Sequence, residues 1–261
     1  MPKRKRWCRY NPISGETRRS ASPAKTLPVS AKLVAVSAAL LGAVLVAYNN
    51  LINLWPPFQR LYVRINACAA AAVTGLALGP LNLEPLTVGL MGNTLSEAGA
   101  GAAAGVVLTC PLYLALASPR WVRRIADRRL DDVDVRELLQ RIFYRVPLGT
   151  ALLEELAFRG VLFGLLLEHG VAEAAVISSA AFGLWHVVPT FETARVNRAR
   201  SGSTRFWAVA AGVVVAFGAG LVFVWLRVMT GGLAAPFAMH AAMNSSATLA
   251  GFLALRASRS V

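Results

Sequence analysis

The chain has 261 residues, 56% of them apolar and 15% charged, with a formal net charge of +14. That balance is too apolar for a soluble domain of this size and excludes an ordinary aqueous enzyme. It fits an all-α polytopic transmembrane bundle, since a segment in lipid satisfies its own backbone hydrogen bonds only as a helix, and its length leaves room for seven to eight spans of about 20 residues.

Residues 1–31 form a basic tail, rich in Pro and Ser and predicted to be disordered. Nine Lys or Arg fall in residues 1–32 against the single Glu16. A tail of that kind reads as a partner of membrane lipid or as an orientation signal, with no nucleic-acid site implied. The N-terminal transmembrane region follows over 32–119. Its predicted spans are 32–55, 61–81 and 99–117, the second broken by Pro80, Asn82 and Pro85. Residues 86–98, with Gly89, Gly92, Asn93 and Glu97, are too short for a span and read as a loop or re-entrant piece. Residues 120–145 alternate charge and bulk, the pattern of an amphipathic helix lying on the membrane surface. Spans are then predicted over 148–167, 171–188, 206–226 and 233–255. Cys8, Cys68 and Cys110 have neither metal spacing nor a pairing pattern.

Charge orients the second half. The 120–145 region, the 191–205 loop and the Arg256–Arg259 tail are basic and fall on one side, the cytoplasmic one by the positive-inside rule. Three spans upstream would place the basic tail on the opposite side. A further segment hidden near 83–98 would remove that conflict.

The 148–167 span carries Glu154, Glu155 and Arg159 near its middle. Ionisable groups at membrane depth cost a few kcal/mol on insertion scales and are a functional hypothesis by default. Glu155 and Arg159 are four apart and pair on one face. Glu154 lies about 100° round the helix and has no local partner. Two later spans each carry a histidine: His186 one turn after Phe182, and His240 four before Asn244. This set allows two arrangements. Glu154, His186 and His240 could ligate a divalent metal such as Zn2+. Alternatively Glu154 with His186 deprotonates a water while His240 and Asn244 donate to the oxyanion of an attacked carbonyl. Both lead to hydrolysis of an amide. Glu155, Arg159 and Phe182 are supporting or substrate-binding candidates, and His169, at a turn, is read as an ordinary surface residue. The pattern HExxH of common zinc proteases is absent.

These residues resemble the CPBP family of intramembrane proteases, which includes the Rce1-type CAAX prenyl endopeptidases and the bacterial Abi proteins. EExxxR stands at Glu154–Arg159, FxxxH at Phe182–His186 and HxxxN at His240–Asn244, in order on successive apolar segments. The resemblance covers 120–256, the expected catalytic core, and hardly touches the first spans. It implies about eight spans, water activation by Glu154 with His186, and oxyanion or metal binding by His240 and Asn244. It implies a membrane-embedded endopeptidase acting on a membrane-anchored or hydrophobic peptide. The Ala-, Gly-, Arg- and Val-rich composition suggests a bacterial plasma membrane. The alternatives are a non-catalytic scaffold or bacteriocin self-immunity factor, and a transporter using Glu154 as proton carrier.

Overall fold

A computed structural model describes residues 31–55, 57–197 and 201–259, with backbone alone for 31–35. The expectation of a disordered tail over 1–31 lies almost wholly outside the described residues. What is described is helical: α1 (Ala31–Ile52), α2 (Phe58–Leu78), the single turn α3 (Pro85–Val88), α4 (Leu95–Ala115) and α5 (Pro119–Ile125). A continuous helix α6 then runs over 135–166, followed by α7 (Val171–Trp185), α8 (Val187–Val196), α9 (Gly202–Thr230) and α10 (Ala234–Ser258). Among the described residues four stretches are long and apolar enough to cross a membrane: α2, α4, α7 continued by α8, and α9. The chain is a multi-span membrane protein by this composition.

Three expectations fail in the connections. The 191–205 loop is helical through Val196 and again from Gly202, because α8 carries the chain past Pro189, which sits in its first turn where no N–H is needed. The stretch 83–98 hides no span: α3 is four residues long and ends at Gly89, whose φ of 79° turns the chain. Residues 120–145 are not one amphipathic helix. α5 stops at Ile125, Arg128–Leu130 form a 3₁₀ turn, and α6 starts afresh where Asp134 accepts from the Glu137 N–H at 2.7 Å. The break comes from the acidic residues: Asp127 and Asp134 each cap a new turn with their side chain, which competes with helix continuation.

α6 is unusual. Its stretches Arg141–Ala151 and Glu155–Leu162 are π-helical, wider than the α form, and flank the α-helical turn Leu152–Glu154. Wide turns of this kind are frequent at functional sites. Pro147 lies inside the first and removes one donor. α1, α2, α3, α7, α9 and α10 pack against α6. Ala157, Phe158, Val161 and Leu162 are fully buried against α1, α2, α7 and α9.

α4 and α10 pack along their length. A methyl group at Gly101 would collide with the Ala235 carbonyl, and one at Gly105 with the Met239 carbonyl. The two glycines let the backbones touch, the small-residue device of membrane helix pairs. Gly160 and Gly164 serve α3 in the same way, facing the Val88 and Thr87 carbonyls.

The two ends of the bundle differ. At one end lie α5, the 126–134 connection, the end of α8 and the end of α10. There Asn197 accepts from the Arg128 N–H, Arg129 reaches Asp127 and Thr193, and Arg256 donates to the Val133 carbonyl. At the other end Arg227 donates to the Leu86 and Thr87 carbonyls, both at 3.0 Å, and Asn93 accepts from the Ala234 N–H.

Candidate active site

Three helices deliver the polar residues to one place. α6 brings Glu154, Glu155 and Arg159, α7 brings Phe182 and Trp185, and α10 brings His240 and Asn244. His186 occupies the joint between α7 and α8, with φ −90° and ψ 4°, so the chain turns at the imidazole. Glu154, Glu155, Arg159 and His240 are all 5% exposed or less, a dense set of ionisable groups for a helical interior.

Glu155 forms the partnered half. Its Oε1 accepts from Arg159 Nη1 at 3.2 Å and from His240 Nδ1 at 2.7 Å. The Arg159 guanidinium lies over the Phe182 ring at 3.9 Å and the Phe223 ring at 4.9 Å. His240 stacks on Phe223 with centroids 4.9 Å apart and planes within 16°. Guanidinium and aromatic faces attract through the ring quadrupole, more strongly where water is excluded. This half therefore holds His240 in one orientation, with Nδ1 committed to Glu155 and Nε2 turned to Glu154.

Glu154 forms the other half. Its Oε1 accepts from Trp185 Nε1 at 3.1 Å. Its Oε2 is buried with no hydrogen-bond partner among the described residues. That oxygen stands 3.6 Å from His240 Nε2 and 3.9 Å from His186 Nε2. Both separations exceed a hydrogen bond and match the gap that a bridging polar atom fills. His186 Nδ1 lies 2.7 Å from the Phe182 carbonyl oxygen. A carbonyl only accepts, so Nδ1 carries the proton and the lone pair of neutral His186 sits on Nε2, facing Glu154. The His186 side chain is 27% exposed, against 3% for His240. The site therefore opens at the α7–α8 joint.

Residues 138–246 match the family model of type II CAAX prenyl endopeptidases, Rce1-like. Over this stretch the chain is similar to an Rce1-like CAAX prenyl endopeptidase domain. The domain extends from Leu138 on α6 into α10 at Ser246 and contains every polar residue of the site. No curated protein and no solved structure matches the chain.

The Rce1-like domain brings Glu154, His186 and His240 together, with Phe182 packed edge-on against His186 at 4.6 Å. Asn244 lies one turn beyond His240, half-buried, and among the described residues no hydrogen bond joins its side chain to the other site residues. Glu155 and Arg159 pair as the spacing suggested, and the pair also takes His240, which the spacing did not suggest. Trp185 and Phe223 are the residues the sequence reading missed. Trp185 stands beside His186 inside the FxxxH stretch, so its indole N–H was a readable donor; a lone Phe223 in an apolar span carries no such signal.

The described residues gather no three His, Cys, Asp or Glu side chains into a group able to hold a metal ion. The 3.6 and 3.9 Å separations are longer than the about 3.4 Å between two ligands of a tetrahedral zinc. Glu154, His186 and His240 are the residues that would hold a metal, and their facing atoms stand slightly wider than that here.

Proposed function

We propose that this protein is an intramembrane endopeptidase that hydrolyses a peptide bond in a membrane-associated protein or hydrophobic peptide, with Glu154 as the base. The family match supports the reaction class. The observation that carries the assignment is the buried, unpartnered Oε2 of Glu154 between two imidazole Nε2 atoms. In this reading α1, α6 and α10 cross the bilayer beside the four long apolar helices, giving seven spans. The arginine-rich end faces the cytoplasm of a bacterial plasma membrane.

A water held between Glu154 Oε2 and His186 Nε2 loses a proton to the carboxylate as its oxygen bonds to the scissile carbonyl carbon. His240, protonated on both nitrogens, donates from Nε2 to the forming oxyanion. Glu155 at 2.7 Å offsets the imidazolium charge, the role a carboxylate plays behind any catalytic histidine. The Asn244 amide supplies a second donor by turning toward the same oxygen. Glu154 then returns its proton to the departing amine. Trp185 keeps the Oε2 lone pair directed by holding Oε1.

The test compares wild type with Glu154→Gln and His186→Ala, purified in detergent and incubated with a library of hydrophobic membrane peptides read by mass spectrometry. Cleavage by wild type that falls about 10³-fold in Glu154→Gln is the expected result, since general base catalysis contributes about 10²–10⁴-fold. Cleavage that persists in a folded Glu154→Gln protein overturns the assignment. A cellular phenotype that survives both substitutions would instead identify a scaffold or immunity factor.

A further inference from the structure

A second cationic feature lies away from the candidate active site, where α2 and α6 begin side by side. A cavity of about 410 Å³ opens there between the two helices. Arg60 and Arg64 line it from α2, and Arg141 and Arg145 line it from α6. Each pair is spaced four residues apart, so each forms a ridge on one helical face. The acidic residue in the lining is Glu137, paired with Arg141 at 2.6 Å. Arg145 is held over the Tyr62 ring at 4.3 Å and hydrogen-bonds to Gln59. Arg60 and Arg64 are exposed, and among the described residues no carboxylate pairs with either. Four guanidinium groups against one carboxylate leave the cavity with a formal charge of +3.

Part of the wall is apolar. Leu61 is 43% exposed at the cavity wall, and Tyr144, 51% exposed, lines it from α6. Charged groups at the first turns of a span, with exposed aliphatic and aromatic side chains on the same wall, mark the boundary between headgroups and acyl chains. A free anion would have no use for the apolar wall. A phospholipid uses both, setting its phosphate among the guanidinium groups and its chains along Leu61 and Tyr144. Basic pockets between membrane helices recognise anionic headgroups through the same combination.

We propose that this cavity binds the headgroup of an anionic glycerophospholipid. Arg60 and Arg64 contact its phosphate, and Arg145, fixed on Tyr62, supplies the third guanidinium. The inference is independent of the peptidase reading, because no residue of the cavity belongs to the Glu154 site. The two are nevertheless joined through the catalytic helix: the Tyr62 hydroxyl meets the Thr150 hydroxyl at 2.9 Å, one turn before Glu154.

Native mass spectrometry of the full chain in detergent tests this. The protein is titrated with phosphatidylglycerol, with phosphatidylcholine of the same chain length, or with inorganic phosphate. The expected result is a phosphatidylglycerol adduct at tenfold or more lower concentration than either other probe. The double substitution Arg60→Gln with Arg64→Gln weakens that adduct about tenfold. The double substitution Arg120→Gln with Arg123→Gln removes equal charge from exposed positions on α5 and leaves it unchanged. Equal binding of the two lipids overturns the proposal, as does equal loss in both doubles, which would mean bulk charge. Inorganic phosphate binding as tightly as the lipid also overturns it, by showing a free-anion site. Among the described residues Arg60 and Arg64 hold no other side chain in place, so their loss leaves the fold intact, and an unchanged melting temperature verifies that.

Discussion

Glu154 and Glu155 are neighbours in sequence and opposites in company. Glu155 Oε1 holds a guanidinium and an imidazole at once, and aromatic rings cover both groups. Glu154 is given one indole N–H and keeps its second oxygen unpaired between two histidines. A buried carboxylate saturated with partners is a structural anchor, because its removal leaves a buried guanidinium with no counterion. A buried carboxylate kept short of partners retains a lone pair for chemistry and costs stability to maintain. Two adjacent residues in one membrane helix thus divide the labour: one builds the wall and the other reacts.

The sharpest way to break that division is to neutralise each glutamate separately. Glu155→Gln should destabilise the protein by about 3–5 kcal/mol, the cost of leaving a buried charge unpaired, and should lower cleavage as His240 loses its orientation. Glu154→Gln should abolish cleavage and leave thermal stability equal to or above wild type. A Glu154→Gln protein that melts well below wild type would erase the distinction. Next comes Trp185→Phe, which removes the indole donor to Glu154 and keeps most of the packing. It should cost about 1.5–3 kcal/mol, the value of a hydrogen bond to a charged group, and lower kcat about tenfold with KM unchanged. Smaller still is Phe223→Leu on the anchor side. It should lose about 1 kcal/mol of stacking and cation–π attraction, seen as a lower melting temperature with a modest fall in kcat.

The smallest effect belongs to Asp127, outside the spans at the arginine-rich end. Burial raises its carboxyl pKa, but hydrogen bonds and charge from Arg129 and a hydrogen bond from Asn197 outweigh that and leave it below the ordinary range. A carboxyl depressed in the folded state adds stability above its unfolded value of about 3.9 and loses it as the pH falls through the folded value. Asp127→Asn should therefore melt lower than wild type at pH 7, and the difference should shrink below about pH 4. Cleavage at pH 7 should be unaffected, which separates this end of the bundle from the site.

The site was legible in the sequence to the extent that its residues recur at helical spacing. Glu155 with Arg159, Phe182 with His186 and the isolation of Glu154 all follow from positions one turn apart. Contacts between spans were not legible. Nothing in the spacing says that His240 gives its Nδ1 to Glu155 and only its Nε2 to Glu154, because that depends on how α10 is rotated against α6. The fold shows the same limit. Apolar runs located α1, α2, α4, α9 and α10 within about four residues, whereas the 148–167 span began 13 residues inside α6, the 191–205 loop is helical through Val196, and a hidden span near 83–98 and a single helix over 120–145 were misjudged. In the last two, the decisive event is a local one: the positive φ of Gly89, and the side-chain caps of Asp127 and Asp134. Short capped turns leave almost no periodicity to read.

The glycines of α4 have a consequence for what can be moved. The wall that carries His240 is seated on Gly101 and Gly105, and the carbonyl of Trp185 is taken by Asn49 of α1 at 2.8 Å. All three lie upstream of the residues that define the family domain. The recognisable module is therefore not a transplantable one. A fragment cut at its boundaries would carry every reactive side chain and lack the surfaces that hold them in register. Any chimera made from this chain must take its boundaries from those backbone contacts, with the motifs as passengers.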